Sequence, residues 1–431
     1  MLQRESIKDI YMIGICGVAM GSLAGMLRQS GFNVRGSDEH VYPPMSDMLR
    51  SWGIDANDGF DPGRIGRPDI IIVGNAISRG NPEVEHVLNG RIPYISMAQG
   101  LYEFFLRDRE VISVSGTHGK TTTTALLAHI LETAGEEPSF FVGGVTKNYN
   151  SNFKLGRGRY FVIEGDEYDS AFFEKTPKFL AYRPQYALLT SLEYDHADIY
   201  GSLAEIELWF RRLVNLIPAN GRILYCREYP NLRDITARAF CPCNSYGREG
   251  ADYTYDYDGF ENGVNRITLR MPQGDRLKAL TGLMGDFNYT NIAGAAAMAL
   301  TLGVSREDVV RGIAGFQGVR RRQELLFQKG NITVYEDFAH HPTAVGAMLR
   351  EIRQRYPRHV IWALYEPRSA TSRRRVFQEE LPEVFRMADH VLSKTPYRLE
   401  AIPEDQRIDM NRVMHLLREK GVDAALLDNV E

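Results

Sequence analysis

The sequence predicts an α/β fold, and three observations carry that reading. A chain of 431 residues is too long for a single hydrophobic core and points to two or three domains. Along three successive stretches, apolar runs of strand length alternate with helical patterns, as in layers around a mostly parallel sheet. Glycine-containing turns stand at two strand-to-helix junctions, Gly14–Gly21 and Gly116–Gly119.

The first stretch runs from Ile10 to about Arg107, with strands expected at Ile10–Ile15, Phe32–Arg35 and Asp69–Val73 and an amphipathic helix over Val18–Gln29. The second opens on strand Val111–Val114, turns through Gly116–Gly119 and enters a helix near Lys120. Strands follow at Tyr160–Ile163, Tyr186–Leu189 and Arg222–Tyr225, and the alternation in Val264–Met271 reads as antiparallel hairpin. A helix over Asn291–Leu302 and a loop at Gly315–Gly318 close this stretch. The third begins at the basic run Arg320–Arg322, with strands near Thr333–Glu336 and Val360–Leu364.

Composition narrows the function classes. Lys plus Arg number 51 against 55 Asp plus Glu, and a net charge of -4 gives no reason to expect a nucleic acid or a membrane surface as partner. The longest apolar runs, such as Ile70–Val73, fall far short of a bilayer span. The N-terminus runs straight into a strand pattern without signal-peptide architecture. Four cysteines, Cys16, Cys226, Cys241 and Cys243, are too few for a disulfide framework, and no further metal-ligand cluster accompanies Cys241-Pro-Cys243. A reduced, cytoplasmic chain is expected.

The strongest chemical signal is Val111-Ile-Ser-Val-Ser-Gly-Thr-His-Gly-Lys-Thr-Thr-Thr-Thr. A buried strand, a glycine turn, Gly-Lys-Thr and a helix start are the parts of a phosphate cradle. Glycines let backbone N–H groups close on phosphate oxygens, and the helix N-terminus adds partial positive charge. Lys120 would meet the β/γ-phosphates and Thr121 a Mg²⁺ ion. Val114 occupies the place of the generic motif's first glycine, so only the shorter Gly116-Thr-His-Gly119-Lys120-Thr121 is matched. The earlier turn, Gly14-Ile-Cys-Gly17-Val-Ala-Met-Gly21, lies between strand and helix, with Asp38 closing the second strand. Its spacing departs from the dinucleotide fingerprint. It suits either a diphosphate or tight helix–strand packing. A nicotinamide oxidoreductase built on this turn would leave Gly116–Thr121 unexplained.

With both loops placed, the chain resembles the Mur ligase family. Further family-type motifs follow in order: Val162-Ile-Glu-Gly-Asp-Glu-Tyr-Asp169, Leu192-Glu-Tyr-Asp-His-Ala-Asp198, Gly285-Asp-Phe-Asn288, Gly318-Val-Arg-Arg-Arg322 and Glu336-Asp-Phe-Ala-His-His-Pro-Thr343. The resemblance implies a Rossmann-like UDP-sugar-binding domain over residues 1–108, a central P-loop ATPase domain over 109–319, and a Rossmann-like domain over 320–431 that presents the amine substrate. Val41-Tyr-Pro-Pro-Met-Ser46, Glu167-Tyr-Asp-Ser-Ala-Phe-Phe173, His341-Pro-Thr-Ala344 and Glu366-Pro-Arg-Ser369 resemble the branch that joins L-alanyl-γ-D-glutamyl-meso-diaminopimelate, the murein tripeptide, to UDP-N-acetylmuramate. The L-alanine-adding branch is the alternative. Two departures stand out. Glu207–Leu213 offers no lysine for the carbamate that several members carry, and the third domain reads as one strand–helix unit short.

The resemblance also implies roles. ATP and Mg²⁺ are the expected cofactors. Gly116, Thr117, His118, Gly119, Lys120, Thr121 and Thr122 would hold the nucleotide phosphates, with Asn288 at the adenine and Arg321 or Arg322 as a phosphate clamp. Asp337 is assigned to nucleotide contact and His341 to the substrate side. Thr121, Glu164 and His196 would ligate metal, and Lys120, Glu164, His196 and His341 form the expected catalytic set. Gly14, Gly17, Gly21, Ser37, Asp38 and Arg368 are the expected substrate contacts. Asp166, Glu167 and Asp169 read equally well as a solvated acidic loop, and Tyr168, Phe172 and Phe173 as core.

Overall fold

A computed structural model describes residues 3–396 and 398–427, so residues 428–431 of the expected third domain lie outside the described residues. In the first segment five parallel strands take the order Asp55–Asp58, Asn33–Asp38, Asp9–Ile13, Ile70–Val73, Tyr94–Ser96. Residues 10–13 and Ile70–Val73 read as unbroken apolar runs because helices cover both sheet faces. Ile10 and Met12 pack with Leu23, Met26 and Leu27 of helix Val18–Gln29, while Tyr11 and Ile13 pack with Val84 and Val87 of helix Pro82–Gly90. The strand order reverses at Asp9–Ile13, and the crevice outside its carboxyl end is where open α/β sheets take ligands. Gly14 follows directly.

The second segment builds a ten-stranded sheet. Its parallel centre sets Tyr186–Leu189, Glu110–Ser115 and Tyr160–Gly165 side by side, so their carboxyl ends open on one cleft. The expected hairpin strand, Val264–Arg270, pairs antiparallel on both sides. Helix Lys120–Thr133 packs against helix Asp286–Thr301. Both are buried on nearly every side, and neither shows a clean amphipathic stripe.

Two expected elements need correction. The helix read as Asn291–Leu302 runs Asp286–Thr301 and is capped by Gly285, whose φ is 91°. Asn288 and Asn291 are therefore buried inside the helix rather than starting it. Strand Ile332–Glu336 does not join a parallel sheet. It forms a two-stranded antiparallel ribbon with Glu324–Lys329. The parallel sheet of the third segment is Trp362–Tyr365, His390–Lys394 and Asp423–Leu427, over its own core of Leu381, Val391, Val413 and Leu417. No helix among the described residues is long and apolar enough to cross a membrane.

Candidate active site

The turn after Glu110–Ser115 is shaped by two glycines with positive φ. A Cβ on Gly116 would strike Thr190 and the backbone of Ser191, and one on Gly119 would strike Asn291 Oδ1. The turn is then tied to the neighbouring strand's exit. His118 N–H donates to Ser191 Oγ at 2.6 Å, and Glu193 N–H donates to Thr117 Oγ1 at 2.8 Å. Lys120, the first residue of the helix, donates from Nζ to Gly116 O at 2.5 Å and to both carboxylate oxygens of Glu167, at 2.8 and 3.1 Å. Burial opposes a charge on Lys120, but the carboxylates of Glu167, Asp166 and Glu164 outweigh it and hold its pKa above the ordinary value.

Thr121 Oγ1 donates to Glu164 Oε1 at 3.0 Å and accepts from Arg322 Nη2 at 3.1 Å. Glu164 Oε2 accepts from Gly143 N–H at 2.7 Å. Two hard oxygen ligands thus stand together at the mouth of the phosphate turn, a donor set that fits Mg²⁺. His196 lines the same cleft with a left-handed backbone (φ 54°), and its ring lies 4.1 Å from that of Tyr168.

The cleft has a volume of about 390 Å³ and is closed on its far side by the third segment. Thr117, His118, Gly119, Lys120, Thr121, Thr122, Glu164, His196, Asn288, Arg322, Asp337 and His341 all line it, so most of the expected nucleotide set is brought together. Gly116 lies beneath the turn. Arg321 does not face the cleft. Its Nε donates to Glu336 at 2.8 Å on the exposed side, which leaves Arg322 as the arginine at the phosphate turn. Asp337 is internally engaged, accepting from Gln323 N–H and Ala339 N–H at 2.7 Å each, and burial raises its pKa. Asn288 donates to Gln323 Oε1 at 2.7 Å and accepts from Asn291 at 3.2 Å.

Arg368 is set back from the cleft lining, 63% exposed in its side chain and 3.7 Å from Glu366. Its neighbours Ser369 and Thr371 line the cleft in its place. Of the remaining arginines on that loop, Arg373 donates to Ser369 O and Arg374 to Gln406.

Several side chains that matter here were not singled out from sequence. Glu167 is buried against Lys120, not solvated, and Asp166 pairs with Lys178 at 2.5 Å, which holds it at about 2 although burial opposes its charge. Tyr168 faces the cleft, whereas Phe172 and Phe173 are partly buried and pack against the core of the first sheet. The third segment docks on residues 193–197. Thr371 donates to Asp195 Oδ1 at 2.7 Å and accepts from Ala197 N–H, Thr343 donates to Glu193 at 3.2 Å, and His341 Nε2 meets Tyr194 O at 3.3 Å. The Glu-Tyr-Asp-His motif pointed to His196 alone. Its flanking carboxylates find partners more than a hundred residues away, and no local spacing reports that.

The expected substrate turn of the first segment is internally braced. Gly14 has φ 85° and Asp38 accepts from Cys16 N–H at 2.8 Å. Gly21 packs on Met45. Ser37 is fully buried and its hydroxyl donates to Glu83, so it supports the turn from below and does not present itself to a ligand. Gly17 caps helix Val18–Gln29, where a Cβ would make only ordinary contacts with Gly14 O and Met20, and Val18 is exposed.

Comparisons with known proteins agree with this layout. Three family models match in sequence: "Mur ligase family, catalytic domain" over residues 9–109, "Mur ligase middle domain" over 114–299, and "Mur ligase, glutamate ligase domain" over 321–427. The UDP-N-acetylmuramate–L-alanyl-γ-D-glutamyl-meso-2,6-diaminoheptandioate ligase of Escherichia coli is 40% identical over 395 residues, covering 90% of this chain and 85% of its own. A UDP-N-acetylmuramate–L-alanine ligase of Chlorobium phaeobacteroides is 32% identical, covering 90% and 82%. The crystal structure of a murein peptide ligase from Psychrobacter arcticus superposes with a TM-score of 0.74 at 33% identity, covering 97% of this chain and 90% of that one.

Proposed function

The chain belongs to the Mur ligase family, and from that premise we propose that it joins L-alanyl-γ-D-glutamyl-meso-diaminopimelate to UDP-N-acetylmuramate at the expense of ATP. The observation that carries the reading is the cleft in which Lys120, Thr121 and Glu164 of the phosphate turn face Arg322 and the third segment. In the reaction, the sugar carboxylate attacks the γ-phosphorus of ATP, giving an acyl-phosphate and ADP. The peptide amine then attacks the acyl carbon, the carbon–oxygen bond to phosphate breaks, and phosphate leaves with the amide formed.

Lys120 would exchange Glu167 for phosphate oxygens, and Arg322 would clamp the transferring group, since such transfer is catalysed mainly by positioning and charge neutralisation. Thr121, Glu164 and His196 would hold Mg²⁺, which when bound neutralises phosphate charge. Asn288, which lines the cleft, would meet the adenine, the role the family resemblance gives it. His341 has both ring nitrogens engaged within the chain, so its role is to hold the third segment in place. Gly14, Gly17 and Gly21, braced by Ser37 and Asp38, shape the turn offered to the UDP diphosphate. Chemistry that consumes ATP and a UDP-sugar belongs to the cytoplasm. Phosphate release with ATP and UDP-N-acetylmuramate tests the reading: release should depend on added amine, and release indifferent to any amine overturns it.

A further inference from the structure

We propose that His118, Glu193 and His341 form a site for a borderline-soft divalent cation such as Zn²⁺, separate from the Mg²⁺ ligands, that staples the third segment to the phosphate turn. One nitrogen from each imidazole and one carboxylate oxygen lie within 4.8 Å of one another. Two imidazoles and a carboxylate are a ligand set that Zn²⁺ takes at about 2.0–2.2 Å, usually with a fourth position open. Mg²⁺ favours oxygen ligands, and a set with two imidazoles to one carboxylate favours Zn²⁺ over it more strongly than the Thr121, Glu164 and His196 set does.

The surroundings are those of a ligand site. His341 Nε2 faces the Tyr194 carbonyl at 3.3 Å, which leaves Nδ1 as the nitrogen for an ion; Nδ1 lies 3.9 Å from Glu193 and now accepts from Thr343 N–H at 3.2 Å, a contact the ion would displace. A ligating histidine that gives its other N–H to a backbone carbonyl is the usual outer-shell arrangement. Thr343 Oγ1 donates to Glu193 Oε1 at 3.2 Å, which leaves Oε2 for the ion. That oxygen now lies 2.7 Å from His118 Nε2, and the two imidazole rings are 4.6 Å apart. Burial, with His118 beside it, depresses His341 to about 4, so its lone pair is free of a proton at neutral pH.

The three ligands come from the phosphate turn, the loop after Tyr186–Leu189, and the N-cap of helix Pro342–Arg355. An ion among them would tie the third segment to the phosphate turn at the edge of the cleft.

The test uses the nucleotide-free full chain in saturating Mg²⁺, titrated with Zn²⁺ by calorimetry. The expected result is one tight Zn²⁺ per chain and a raised melting temperature through mass action. Glu193→Gln and His341→Asn should each weaken binding by about tenfold or more. Asn keeps an acceptor for Thr343 N–H at the helix start. Glu419→Gln, at the exposed His415–Glu419 pair, should leave the affinity unchanged. X-ray absorption on the parent gives a readout independent of any variant, with two imidazoles expected in the zinc shell. Absence of tight binding, equal affinity in both site variants, or a shell without two imidazoles overturns the proposal.

Discussion

Lys120 stands in its own chain's grip, charged and bound to Glu167 and to the carbonyl of Gly116. A phosphate group must displace a buried carboxylate to reach it. The ammonium then meets negative charge that grows toward the transition state, where such an interaction is strongest. Lys120→Ala should therefore cut turnover by about two decades or more, measured as phosphate release at saturating substrates, and a rate equal to the parent's would remove the turn from the mechanism. Glu164 offers a second, separable test. Glu164→Gln should raise the Mg²⁺ concentration needed for half-maximal rate and leave UDP-N-acetylmuramate affinity nearly unchanged by calorimetry, because the turn proposed for the UDP-sugar, at Gly14, Gly17 and Gly21, follows a strand of another sheet. At this scale the sequence was legible wherever chemistry is carried by contiguous residues, as in Gly116–Thr121. Arg321 and Arg322 could not be separated by spacing alone, because their partners, Glu336 for one and Thr121 for the other, are set by the fold and not by the local sequence.

Elements were legible where one local pattern dominates. Helix Val18–Gln29 and strand Tyr186–Leu189 stand at the expected bounds, since glycine turns and buried runs mark their ends. Helix Asp286–Thr301 starts earlier than expected because Asn is a favourable cap by propensity, whereas here Asn288 and Asn291 are buried by hydrogen bonds to Gln323 and to each other. The ribbon of Glu324–Lys329 and Ile332–Glu336 escaped for a related reason: a strand's alternation does not say which sheet it joins. The loop at 193–197 is where elements of two segments meet, and Thr371 is its central contact. Thr371→Val would leave the Asp195 carboxylate and the Ala197 N–H short of a partner in a buried place. The cost expected is about 1–3 kcal/mol, seen as a lower urea midpoint with unchanged slope. An unchanged midpoint would mean that the third segment does not depend on this contact.

At the scale of the molecule, the proposed function gives the choice of amine to the third segment. The tripeptide carries carboxylates along its length that L-alanine lacks, so binding it calls for positive charge at the rim of the third segment. The loop after Trp362–Tyr365 supplies Arg368, whose side chain stands at that rim beside Glu366, whereas Arg373 and Arg374 brace the segment internally. A carboxylate arriving from the peptide would compete with Glu366 for Arg368, and a desolvated arginine–carboxylate pair is both strong and geometrically selective. Arg368→Ala should then raise KM for the tripeptide far more than KM for ATP. The parent should favour tripeptide over L-alanine by about a hundredfold or more in kcat/KM, a discrimination that a few unpaired polar groups on the wrong substrate can supply. Both relatives named above cover about nine-tenths of this chain, and the higher identity, 40% against 32%, lies with the tripeptide ligase. If L-alanine proves the better substrate in that comparison, the amine site belongs to the L-alanine-adding branch, and Arg368→Ala should then leave both KM values where they were.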